Sequence, residues 1–453
     1  MWQVRARALL ALAVLNIFVL VTGIVAADLI ESRPPETMPY PAAFAEDEPV
    51  AAVPDAGQVS PERLADKLDD PMSDSGIDEG LSAYVADAAT GEALYERDAD
   101  EGAVPASTTK VVTAVSVLHA AGPGERIHTD VVLGDNGQVI LVGGGDPTLT
   151  ASVEPDAYPR LATLEELAEH TATALQEEGI DSVSLGYDDS LYLGPDTGPG
   201  WKPNYVDEGS ASTVHALMLD GGRVHKEQNY SERVDDPPRV TADAFADQLR
   251  DMGIGVTGDP SPAEAPDGAD PIATVASAPI SALVEEMLLE SDNNIAEALF
   301  RQVALAKDEE PSWRGAAAAT DEVMDELDVD DVHVEDGSGL SVNNDITPKA
   351  LADLVMVAAD PEHPDLYFLL SGLPTAHFSG TLAGRYSEES AADSGAGVVR
   401  AKTGTLSGVS TLAGTIYDAD DRLLVFAFMA NDEAAMGSTL DTFASAVAEC
   451  GCS

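Results

Sequence analysis

The stretch Pro105-Ala106-Ser107-Thr108-Thr109-Lys110 opens an apolar run, Val111-Val112-Thr113-Ala114-Val115-Ser116-Val117-Leu118, that stops at Gly122-Pro123. Such a run predicts a buried helix, and the Gly-Pro pair ends it. Ser107 and Lys110 stand three apart, and residues i and i+3 share one face of a helix. The hydroxyl and the amine can therefore meet without long-range help. Ser107 also falls in the first turn, where unpaired N–H groups and the positive end of the helix dipole gather. That suits a serine nucleophile with a built-in amine base, and it suits negative charge developing on a carbonyl oxygen. The alternative for the same six residues is a serine cap followed by an exposed lysine.

Working outward, 81–87 and 92–97 flank Ala89-Thr90-Gly91 and read as two strands joined by a turn. Far downstream, 398–404, 408–417 and 423–430 read as three more strands, followed by a helix over 436–448. Helices are expected between them at 279–289, 294–306, 313–327 and 348–359, the last with Thr347 as its cap. Two early and three late strands point to an antiparallel sheet built from both chain ends. The texture differs over 127–274: a hairpin over 127–142 broken at Asp135-Asn136-Gly137, helices over 163–178 and 241–252, and Gly- and Pro-rich loops between. This region reads as an inserted small domain, or two, lying outside the sheet. Gly143-Gly144-Gly145-Asp146-Pro147 reads as a turn, since no G-K-[ST] follows to make a phosphate loop.

The N-terminal 27 residues carry Arg5 and Arg7 before an uncharged apolar run that ends at Val25-Ala26-Ala27. They read as a signal peptide or an uncleaved membrane anchor, and either implies export. Residues 28–60 hold six prolines and seven acidic residues against one arginine. Such a segment cannot bury enough apolar surface to fold, so 28–74 is expected to be a disordered acidic linker, with a short helix from Pro61 to Leu68.

The 453 residues include 23 basic and 81 acidic ones, a net charge of −58. That surface repels phosphate backbones and excludes nucleic acid as a general partner. It fits either salt adaptation or a compositional bias of the source. A hydrophobic fraction of 44% supplies ample core. Cys450 and Cys452 sit too close for an unstrained disulfide, so no disulfide framework is expected. The eight histidines are scattered without an H-E-x-x-H, so neither a metal nor a cofactor is expected.

Three short motifs now stand in order: Ser107-Thr108-Thr109-Lys110, Ser291-Asp292-Asn293, and Lys402-Thr403-Gly404 followed by Thr405. Each alone has a plain reading as a cap or a strand end. Together, in that order, they are the S-x-x-K, S-D-N and K-T-G set of penicillin-recognising serine enzymes. The long step from Ser107 to Ser291 resembles the DacB-like D-alanyl-D-alanine carboxypeptidase/endopeptidase group of low-molecular-mass penicillin-binding proteins, peptidase family S13. Gly145-Asp146-Pro147-Thr148-Leu149, Asn293-Asn294-Ile295-Ala296-Glu297 and Asp336-Gly337-Ser338-Gly339-Leu340-Ser341 agree with it. One departure lies at Gly380-Thr381-Leu382, which follows His377 and Ser379 where a Gly and an Asp are common.

The resemblance implies an α/β (α+β) serine β-lactamase/DD-peptidase-like fold, an antiparallel sheet flanked by helices. The catalytic domain would span 75–126 and 275–453, with 127–274 inserted. It implies Ser107 as nucleophile, Lys110 as base and Ser291 as proton relay. Asn293 would hold Lys110 and the substrate amide. Lys402 and the hydroxyls of Thr403 and Thr405 would bind a terminal carboxylate. Gly404 would let substrate lie along the strand, and the N–H groups of Ser107 and Thr405 would form the oxyanion hole. The expected partners are peptidoglycan stem peptides, with β-lactams as inhibitors, in the cell-wall space. The alternatives are a β-lactamase and a non-catalytic penicillin-binding sensor.

Overall fold

The computed structural model describes residues 59–77, 80–134, 137–153, 159–228 and 230–451. The expected export segment, the linker up to residue 58 and Cys452 lie outside them. The chain begins with α1 (Pro61–Asp74), then β1 (Leu81–Asp87), β2 (Ala93–Arg97) and α2 (Thr109–Ala120). There follow β3 (His128–Leu133), β4 (Val139–Val142), α3 (Leu164–Glu177), β5 (Ser182–Val183), β6 (Leu185–Asp188), α4 (Pro237–Asp251), β7 (Gly255–Val256), β8 (Ser261–Pro262) and β9 (Ala273–Ala276). Next come α5 (Ile280–Glu290), α6 (Asn293–Ala306), α7 (Trp313–Glu326), β10 (Val332–His333), β11 (Asp345–Ile346), α8 (Pro348–Ala359) and α9 (Tyr367–Gly372). The chain closes with β12 (Val399–Leu406), β13 (Val409–Tyr417), β14 (Leu423–Ala430) and α10 (Gly437–Ala448).

The central sheet runs β12-β13-β14-β1-β2, antiparallel throughout, so strands from the two chain ends meet at β14 and β1. Both faces are covered, and β14 shows how one strand serves two cores. Val425, Ala427 and Met429 point into the cluster that holds α2, α5, α6 and α8. Leu424, Phe426 and Phe428 alternate with them and face α1 and α10. This is the antiparallel sheet flanked by helices that the sequence predicts.

The helix expected at Pro61 is longer than expected and is part of the core. It is capped by Ser60, runs to Asp74, and buries Leu64, Leu68 and Met72 in the second cluster. The expectation of a disordered linker through residue 74 is therefore corrected. The three apolar residues recur at i, i+4 and i+8, which makes one sticky stripe on an otherwise polar helix. Cys450 is buried and disulfide-bonded, against the expectation of no disulfide.

A second sheet, β8-β6-β4-β3-β9, lies wholly within 127–276 and has its own cluster around Val131, Leu141, Leu167, Phe245 and Leu249. The helix expected from Thr241 begins four residues earlier, at Pro237, because Asp236 caps it and proline tolerates a first helical position. Asp146 accepts the N–H and the hydroxyl of Thr148, at 2.8 and 2.6 Å, which closes the Gly-rich turn.

Candidate active site

Ser107 does not sit in an α-helical turn as expected. It lies in a 3-10 turn, Ala106–Thr108, and α2 starts only at Thr109. Ala106 before it is held at φ +48°, in the left-handed region an alanine rarely adopts. Its neighbours impose this. The carbonyl of Ala106 presses on Gly339 (φ +82°), where a Cβ would collide with it. From below, Thr411 on β13 and Thr108 both donate to the Pro105 carbonyl at 2.7 Å. Asn431, just past β14, accepts the Val104 N–H at 3.1 Å. The central sheet thus fixes the turn that presents Ser107.

Lys110 follows in the first turn of α2 and is fully buried. Its Nζ lies 2.7 Å from Asn293 Oδ1, 2.7 Å from the Ser338 carbonyl and 3.1 Å from Ser107 Oγ. The first two partners only accept, so two N–H bonds must point at them. The third position faces the serine. It is an N–H in the ammonium and a lone pair in the neutral amine, and the lone pair can take the Ser107 proton. Burial lowers the amine from its usual value to about 8, against the opposing pull of Glu297, Asp336 and Asp292. An amine that is partly neutral near working pH follows from burial held in check by those carboxyl groups.

Asn293 is the first residue of α6, capped by Asp292 through the Ile295 N–H at 3.0 Å. The asparagine amide donates to the Ser210 carbonyl at 2.8 Å, which leaves its oxygen for Lys110. Ser291, in the left-handed conformation between α5 and α6, turns its hydroxyl to Lys402, 3.0 Å from Nζ. Lys402 also donates to the Thr403 carbonyl at 2.7 Å and is fully buried. Burial, then Lys110, then Arg385 push its amine well below the usual value. Thr403 shares a 2.9 Å hydroxyl contact with Thr381, and Thr405 is exposed at the end of β12. The three motifs are thus brought to one place, at the edge strand β12 and the starts of α2 and α6. Among the described residues no group of three or more His, Cys, Asp or Glu is placed to hold a metal ion.

Comparison with known proteins agrees with this geometry. The model of the D-Ala-D-Ala carboxypeptidase 3 (S13) family matches residues 64–232 and 225–448. The chain belongs to this family. It is 34% identical over 470 residues to carboxypeptidase DacB of Mycolicibacterium smegmatis, covering 100% of this chain and 98% of that one. It is 35% identical over 383 residues to a carboxypeptidase of Mycobacterium tuberculosis, covering 82% of this chain and 81% of the other. Its fold matches penicillin-binding protein 4 (dacB) of Haemophilus influenzae with a TM-score of 0.65 at 22% identity, over 86% of this chain and 98% of that one. A second structure of that protein holds a novel β-lactam. The protein is accordingly a serine-type D-Ala-D-Ala carboxypeptidase.

Two features of the enzyme's site depart from the sequence reading. The first is Gly404. A Cβ there would run into the Thr411 hydroxyl and lie 2.8 Å from the Pro105 carbonyl and 3.0 Å from the Ser107 nitrogen. The glycine makes room for the turn that presents Ser107, a role the sequence reading did not give it. Gly404→Ala should displace that turn and slow acylation about 100-fold, the usual cost of an ångström of misplacement. Penicillin acylation rates beside a circular dichroism spectrum would check it, and a wild-type rate would refute the role.

The second is the insertion, which does not simply lie outside. Ser210 holds Asn293, Trp201 donates to Asp336 at 2.7 Å, and Arg223 forms an ion pair with Asp292. Burial works to raise the Asp292 carboxyl, but Arg223 and the Ile295 N–H outweigh it and hold the group low. None of these partners is visible in the motifs, because each contact joins residues far apart in sequence. Ser338, whose carbonyl holds Lys110, was marked only by its glycine-flanked loop.

Proposed function

We propose that the enzyme cleaves the terminal D-alanyl-D-alanine bond of peptidoglycan stem peptides through an acyl-enzyme on Ser107. Neutral Lys110 takes the Ser107 proton as Oγ attacks the carbonyl carbon. The N–H groups of Ser107 and Thr405 receive the oxyanion. As the tetrahedral intermediate collapses, the proton passes by way of Ser291 to the departing amine, which leaves as D-alanine. Water then attacks the ester, Lys110 again takes a proton, and Ser107 is regenerated. Lys402 with the hydroxyls of Thr403 and Thr405 binds the substrate carboxylate. That anion offsets the repulsion that keeps the Lys402 amine from holding its proton, so substrate charges the site that recognises it.

The observation that carries this reading is the placement of the Lys110 amine between two pure acceptors, with its third position on Ser107. Around it we read 75–126 with 275–453 as the catalytic domain and 127–274 as its insertion. We also place the enzyme outside the cytoplasmic membrane, exported by its first 27 residues as a signal peptide or anchor. Endopeptidase action on cross-links uses the same steps with a longer leaving group. The test is release of the terminal alanine from a pentapeptide ending in D-alanyl-D-alanine, with none from the L-alanyl-L-alanine isomer. Equal release from both, or from neither, would overturn the assignment.

A further inference from the structure

Glu297 lies one helical turn beyond Asn293 on α6 and is fully buried, and none of the steps above uses it. Its two oxygens each accept one backbone N–H: Gly337 at 2.9 Å and Ser338 at 2.9 Å. The carbonyl of that same Ser338 holds Lys110 at 2.7 Å. One turn of α6 therefore grips the amine twice, directly through Asn293 and through the Ser338 peptide from Glu297. Asp336 closes the loop from within. It accepts the N–H groups of Gly339 and Ser341, at 2.9 and 2.7 Å, the Asn344 amide at 2.8 Å and the Trp201 indole at 2.7 Å.

The charges around the two buried lysines differ. Lys110 has three carboxylates within electrostatic reach, Glu297 first, then Asp336 and Asp292. Among the described residues no carboxylate acts on Lys402, whose charged neighbours are Lys110 and Arg385. Both amines are equally buried. Burial lowers both amines, Lys110 to about 8 with the carboxyl groups pulling against it, and Lys402 well below its usual value with Lys110 and Arg385 acting in the same sense as burial. Burial, then Asp336, raise the Glu297 carboxyl to about 8, against Ser338 and the two N–H donors. Each of its oxygens accepts a backbone N–H, and that geometry favours the carboxylate, which only accepts, over the acid. Behind it stands Arg301, one turn further along α6 and stacked 4.0 Å from the Trp313 ring. The Nε and Nη1 atoms of Arg301 are buried without a hydrogen-bond partner among the described residues, so its charge is left to act on Glu297.

We propose that Glu297 is a positioning residue that makes Lys110, and not Lys402, the base of the reaction. It orients the amine through the Ser338 carbonyl, and its charge keeps that amine able to accept a proton at neutral pH. The inference rests on the reading of Lys110 as the base.

The experiment is single-turnover acylation of the full enzyme by a penicillin, followed from acid to alkaline pH. In the wild type the rate rises with pH as Lys110 loses its proton. Glu297→Gln removes the charge, so the rise should move to lower pH by about one unit, the low end for loss of a nearby opposite charge. The plateau should also fall, because the amide replaces one acceptor by a donor against the Gly337 and Ser338 N–H groups. Glu297→Asp keeps the charge and shortens the arm, so its rise should stay at the wild-type pH with a lower plateau. A Glu297→Gln profile with an unmoved midpoint would reduce Glu297 to a structural part. If that variant does not fold, the aspartate variant decides: a wild-type plateau, or a displaced midpoint, overturns the proposal. A wild type that acylates with no rise through this pH range would instead sink the reading of Lys110, whatever Glu297 does.

Discussion

Lys110→Ala should stay folded and acylate about 1,000-fold more slowly, the middle of the range for loss of a positioned general base. Folding survives because the substitution deletes a buried amine whose desolvation is itself costly. The acceptors it leaves, Asn293 Oδ1 and the Ser338 carbonyl, remain in a polar space that water can enter. The rate does not survive, because among the described residues no other basic side chain is hydrogen-bonded to the Ser107 hydroxyl. Ser291 faces Lys402, and the Lys402 amine donates to Ser291 and to the Thr403 carbonyl. The pH profile separates this from general damage. With the wild-type amine at about 8, acylation should rise between roughly pH 7 and 9 and level off above. The sign follows from the chemistry: the neutral amine is the active form, so activity is lost as pH falls through that value. In Lys110→Ala the slow residual rate should lack this rise. Penicillin acylation timed by intact-protein mass spectrometry across pH reads both, and a near-normal rate would remove Lys110 from the mechanism.

Much of this arrangement is legible in the sequence, and the legible part is local. The apolar strand at 423–430, the stop at Gly122-Pro123 and the cap at Thr347 all act over a few residues. So does the spacing of Ser107 and Lys110. What is not legible is imposed from a distance. Nothing in Pro105-Ala106-Ser107 announces a left-handed alanine; it exists because Gly339 and β13 close on that turn from two sides. The stripe of Leu64, Leu68 and Met72 has helical spacing, but its acidic, proline-rich surroundings hide it, and α10 and β2, both outside that segment, give it something to cover. Ser210, Trp201 and Arg223 belong to a region of different texture, yet they hold Asn293, Asp336 and Asp292. Excising that region would take one partner from each of the three, so residues 127–276 wall the site as well as carrying their own sheet.

A penicillin should leave one added mass on the peptide that carries Ser107, persisting for minutes or longer, while a D-alanyl-D-alanine pentapeptide turns over. Both reactions begin with the same attack, and they part at the leaving group. When the β-lactam amide breaks, the amine stays tethered to the acyl group through the rest of the ring system. With Ser291 as the relay, that amine would stay beside the hydroxyl that Lys402 holds, and would block water from the ester. The D-alanine of the peptide is not tethered and departs, so water enters. Lys110 is in place for the second proton transfer in either case, so the difference is one of access and not of base strength. Ser107→Ala should abolish the adduct and the release of D-alanine together, since Thr108 and Thr109, the hydroxyls next in sequence, are fully buried. Rapid penicillin hydrolysis with no lasting adduct would move the protein to the β-lactamases. A lasting adduct with no peptide turnover would make it a sensor that keeps only the first half of the reaction.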